Sequence, residues 1–91
     1  MDNERLLIER NLELSAEFSR YLFEHPEIAE KIPLGAELIL LPEFDDELKT
    51  YNLSLGGGIE AEGGKVIYVS ISRLRPKFLS RIEDVEFKSV A

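Results

Sequence analysis

Few residues in this chain are equipped for chemistry. His25 is the only histidine, and it stands between Glu24 and Pro26 in YLFEHPEIAEKIP, residues 21–33. An imidazole serves as a general base near neutral pH only beside a carboxylate that orients it and a nucleophile or substrate that it deprotonates. The sequence names neither. Pro26 cannot continue a helix and fits the first position of a new one, so His25 is read as a junction residue. Asn11 and Ser15 are less expected. They are i,i+4 neighbours on the apolar side of a helix, where a polar side chain must find a partner. The structural reading, an anchor for nearby backbone or a pair across two helices, is preferred. The functional alternative is a small-ligand pocket near Asn11, Ser15, Tyr21 and His25.

Three further patterns have plain explanations. Glu43, Asp45, Asp46 and Glu47 crowd together in PEFDDE, a hard-cation composition. Asp45 is also a good N-cap, and acids in a first helical turn favour the dipole, which is the preferred account. The glycine stretch fails as a dinucleotide loop, because counting from Gly56 puts Ala61 at the third glycine position. It fails as a phosphate loop because Val66 follows Lys65. Asn52-Leu53-Ser54 matches the glycosylation pattern but falls in a predicted helix. No catalytic residue, metal site or cofactor is expected. RLRPKFLSR gathers Arg73, Arg75, Lys77 and Arg81 around Phe78. Cations with an aromatic can hold a nucleic-acid backbone and stack a base. Contact with acidic surface of the same chain or a protein partner is preferred, and a weak nucleic-acid role through residues 73–81 is a further alternative.

The elements that must position these residues follow from periodicity. Residues 3–24 read as one amphipathic helix, about 33 Å long at 1.5 Å per residue. Leu7, Leu14, Phe18, Tyr21 and Leu22 share a sector of about 100°, and Ile8, Leu12 and Phe23 widen it to about 200°. That arc is broad for a helix resting on one neighbour. A short helix over residues 26–31 follows, then a strand over 36–41 closed by Pro42. A third helix is expected over 45–55, with Gly56 as its stop. Ile59–Glu62 reads as a short strand turning through Gly63-Gly64 into the strongest strand, residues 65–74, in which Ile67, Val69 and Ile71 face one way. EDVEFKSV reads as a last strand or an extended tail. The run from 36 to 74 also permits a parallel crossover.

The chain has 91 residues, enough for a single domain over 1–91 with one core. It has no cysteine, hence no thiol chemistry or disulfides. The net charge of −7 divides into −10 over residues 1–64 and +3 over 65–91, so most of the molecule repels nucleic acid and anionic membrane. No apolar run approaches a membrane span, and the charged N-terminal segment lacks a signal core. A cytoplasmic location is expected.

Asn11-Leu12-Glu13-Leu14-Ser15, Tyr21-Leu22-Phe23-Glu24-His25-Pro26-Glu27, Ile32-Pro33 and Leu41-Pro42-Glu43 together resemble a family of small prokaryotic proteins carried as a domain of unknown function. The resemblance covers about residues 10–55. It implies a prokaryotic, cytoplasmic origin and carries no activity with it.

The expected fold is α+β: a small mixed or antiparallel sheet carrying the long N-terminal helix and a second main helix. The expected function is a non-enzymatic protein-interaction module, working as a homodimer or with a protein partner. Ile8, Leu12 and Phe23, on the shoulder of the arc, are the candidate interface residues.

Overall fold

A computed structural model describes residues 2–76 and 82–89. The elements run α1 (Asp2–Glu24), α2 (Pro26–Ala29), β1 (Glu37–Pro42), α3 (Asp46–Ala61) and β2 (Val66–Ile71). Helix α1 ends where Pro26 demands it. The His25 amide still bonds to the Tyr21 carbonyl at 2.9 Å, and Pro26 then opens α2 at its first turn. Helix α2 is shorter than expected, because after Ala29 the chain tightens into turns, Lys31 N–H to Ile28 O at 3.0 Å and Ile32 N–H to Ala29 O at 3.1 Å.

The glycine stretch corrects the sequence reading twice. Helix α3 does not stop at Gly56; it runs through Gly56, Gly57 and Gly58 to Ala61, so residues 59–61 are helical rather than a strand. Each interior glycine costs a helix only about 1 kcal/mol relative to alanine, and tertiary contact can offset that. The stop lies at Gly63, whose φ of +87° suits glycine best. There Gly64 N–H bonds to Ile59 O at 2.9 Å and Gly63 N–H to Glu60 O at 3.0 Å, the two bonds of a Schellman ending.

The sheet is a further correction. Among the described residues it has two strands, β1 and β2, and they are parallel rather than mixed or antiparallel. A parallel pair needs a long crossover, and α3 supplies it. The register pairs Glu37 with Val66 and Pro42 with Ile71. Strand β2 ends at Ile71, short of the expected Leu74, because β1 ends too: Glu43 N–H to Ile71 O, 2.9 Å, is the last rung. Residues 82–89 form no strand, and Val85 and Phe87 are exposed.

Leu7 and Leu14 of α1, Leu40 of β1 and Leu48 of α3 make the buried cluster, with Phe18, Tyr51, Val69 and Ile71 packed around it. Leu38, Leu40 and Pro42 share a sheet face with Ile67, Val69 and Ile71. Tyr68, on the other face, lies against Gly56 of α3. A Cβ built on Gly56 would come within 2.6 Å of the Tyr68 hydroxyl oxygen, so the missing side chain makes room for the ring.

The two outer edges of the sheet differ. The rungs from Glu37 N–H to Lys65 O and from Glu43 N–H to Ile71 O direct the odd-numbered residues of β1 toward β2. Leu38, Leu40 and Pro42 therefore direct their backbone groups outward. On that edge the Leu40 carbonyl is taken by the Asn52 side chain at 2.8 Å, and Pro42 has no N–H to offer. On the outer edge of β2, the backbone groups of Val66, Tyr68 and Ser70 make no hydrogen bond among the described residues.

Candidate functional site

Polar side chains gather along the seam between α1 and α3. Asn11 and Asn52 pair reciprocally: Asn11 Nδ2 donates to Asn52 Oδ1 at 2.7 Å and Asn52 Nδ2 to Asn11 Oδ1 at 2.8 Å. The second Asn52 N–H goes to the Leu40 carbonyl. Asn52 is only 3 % exposed, a burial that an amide tolerates only when its donors and acceptor are matched. Asn52 sits between Leu48 and Gly56 on one face of α3, at i,i+4 from each, and all three are buried.

Ser15, one turn on from Asn11, joins Leu38, Ile39, Leu40, Leu55 and the two asparagines in lining a recess of about 200 Å³. That is smaller than the roughly 300 Å³ at which small-molecule sites usually begin. No buried side-chain polar atom among the described residues lacks a partner. The amides of the recess are thus committed to one another and to β1. Asn11 pairs across two helices with Asn52, and Asn52 in turn holds the β1 backbone. Its partner Asn52 was not singled out as a site residue by sequence reasoning. The available signal was its place at i+4 from Leu48, on the face that had to be buried.

Beside the asparagines, Arg10 clasps the start of α3. Its guanidinium bonds Asp45 Oδ2 at 2.8 Å and also Glu47. The Glu47 bond is the main reason the Arg10 pKa is raised above its ordinary value; desolvation opposes it, and the charges of Asp45 and Glu47 add to it. Asp45 caps α3 as expected, its Oδ1 accepting from Leu48 N–H at 3.1 Å. The acidic cluster is thus an N-cap and an ion-pair anchor, and no group of three or more metal-ligating side chains occurs among the described residues. Glu43 faces elsewhere. Lys49 donates to its Oε1 at 2.6 Å and Ser70 to its Oε2 at 2.7 Å. Those bonds, Lys49 first, lower the Glu43 pKa. Tyr68 donates to Glu60 at 2.6 Å, and that bond raises the phenol pKa.

The other predicted residues stand apart from this seam. Tyr21 and His25 are not brought to the recess. Their rings meet each other, centroids 4.3 Å apart, and His25 Nδ1 lies 3.3 Å from Glu27 Oε1. Ile8, Leu12 and Phe23 are 47, 67 and 90 % exposed. Arg73 and Arg75 are exposed and make no ion pair among the described residues; Lys77, Phe78 and Arg81 lie outside the described residues. No helix is long and apolar enough to cross a membrane among the described residues.

These features define a small α+β domain whose buried polar groups hold its own elements together. Residues 6–85 match the model of a family of unknown function, DUF5647, and the chain belongs to that family. No curated protein and no solved structure matches it.

Proposed function

We propose that this chain is a protein-interaction module without catalytic activity, and that it works as a homodimer through the outward face of α1. The observation that carries the reading is the exposure of Ile8, Leu12 and Phe23 on a helix whose other face is already buried. Large exposed apolar groups in a row favour a partner, since covering them returns roughly 25 cal/mol per Å² of apolar surface. The commitment of Asn11 and Asn52 to each other supports the same reading, because it removes the best polar lining from the ligand-pocket alternative.

The test is mass in solution, by light scattering, for the wild type and Leu12→Glu. The expected result is a wild-type dimer and a monomeric variant with its far-ultraviolet helix signal retained, as Leu12 lies outside the core. A wild type that stays monomeric at tens of micromolar would overturn the proposal.

A further inference from the structure

We infer that the surface covering α1 is the α1 of a second copy, lying antiparallel about a two-fold axis that passes between Ser15 and Ala16; this rests on the interaction reading above. On the helix, Ile8, Leu12, Ala16, Ser19 and Phe23 fall within about 80° at 100° per residue. All five are exposed. The stripe is centred about 140° around the helix from Leu7, Leu14 and Phe18, which the core occupies. The broad apolar arc therefore consists of two faces, one used and one open.

The stripe is matched to its own reverse. Inverted about the point between residues 15 and 16, it sets Ile8 opposite Phe23 of the second copy, Leu12 opposite Ser19, and Ser15 opposite Ala16. Large side chains thus meet at the ends and small ones at the middle, where two helices can approach to about 8 Å.

Charge selects the same orientation. Glu9, Arg20 and Glu24 follow one flank of the stripe, Arg5 stands inside it near the same edge, and all four are exposed. Antiparallel pairing brings Arg5 toward Glu24 of the second copy and Glu9 toward Arg20. Parallel pairing would place the two copies of this flank on opposite sides of the seam, where their charges do not meet. Within the chain, Arg5 reaches Glu9 only at 3.7 Å and Arg20 holds Glu17 at 2.8 Å, leaving Glu24 for the partner.

The chain has no cysteine, so single cysteines report on the register directly. Ala16→Cys, Ile8→Cys and Phe23→Cys are each checked for dimer mass under reducing conditions and then mildly oxidised. The expected result is self-linking by Ala16→Cys, little self-linking by either of the others alone, and efficient linking when Ile8→Cys and Phe23→Cys are mixed. A wild type that is monomeric refutes the interaction reading itself. A dimer in which Ile8→Cys and Phe23→Cys each self-link refutes the antiparallel arrangement alone. A dimer in which none of the stripe cysteines links places the interface elsewhere and also overturns the inference.

Discussion

Replacing Asn52 with aspartate changes one nitrogen to oxygen and should set the stability of the whole fold against pH. In the wild type that nitrogen donates twice, to Asn11 Oδ1 and to Leu40 O, both at 2.8 Å. A protonated carboxyl restores one of these bonds and leaves one acceptor facing another, a cost of about 1–3 kcal/mol. An ionised carboxylate adds burial of a charge at a position only 3 % exposed. Burial raises a carboxyl pKa, and a rise of two to three units from about 3.9 corresponds to roughly 3–4 kcal/mol more. The sum at neutral pH is about 4–7 kcal/mol, a large part of the roughly 5–14 kcal/mol available to a domain this size. The folded state of the variant binds the proton more tightly than the unfolded chain does. Its extra penalty is therefore absent below about pH 4 and grows as pH rises toward the elevated pKa. Urea midpoints of wild type, Asn52→Asp and Asn52→Ala, measured from pH 4 to 8 and compared as differences, test this. A pH-independent gap between Asn52→Asp and wild type would show the new carboxylate in contact with water. A variant as stable as wild type at pH 7 would refute the buried bridge altogether.

The glycines of α3 should separate by position. Gly57→Ala meets nothing within 4 Å and should stabilise the fold by about 0.5–1 kcal/mol, raising the thermal midpoint by about 4 °C; Gly56→Ala, which must displace Tyr68, should lower the midpoint, and equal gains from both would sink the account of the Tyr68 seat. Lys49→Met should let the Glu43 pKa climb back toward the ordinary carboxylate value, read by side-chain NMR titration. Because the folded Glu43 pKa is lowered, its contribution holds above the unfolded pKa and is lost as pH falls through the folded one; an unmoved titration in Lys49→Met would show that Lys49 is not the main cause.

Local signals predicted the local structure. Pro26 marks the end of α1, Asp45 the start of α3, and the alternation of Ile67, Val69 and Ile71 the course of β2. These are short-range effects of a missing N–H, a capping oxygen and side-chain period. The errors arose where distant contacts outweigh propensity. Three glycines read as a helix stop, yet Tyr68, twelve residues beyond Gly56, needs the space that glycine leaves. The spacing from 36 to 74 permits the parallel pairing that forms, but nothing local selects it over a hairpin through Gly63-Gly64. The seam was half legible. Asn11 stood out because it broke an apolar arc, whereas its partner lies 41 residues away, and nothing local marks which amide will meet it.

The unequal edges of the sheet bear on how many chains can join through them. A strand edge with free donors and acceptors is a template for another strand, and a sheet with two such edges can add copies without end. Here the β1 edge is interrupted, at Leu40 by the Asn52 amide and at Pro42 by the absent N–H. Among the described residues, only the β2 edge remains open along its length to main-chain pairing. Two chains meeting there leave no edge over, so growth along the sheet terminates at two. Asn52 and Pro42 thus act as chain terminators in the polymer sense, stopping main-chain pairing at the β1 edge of the sheet.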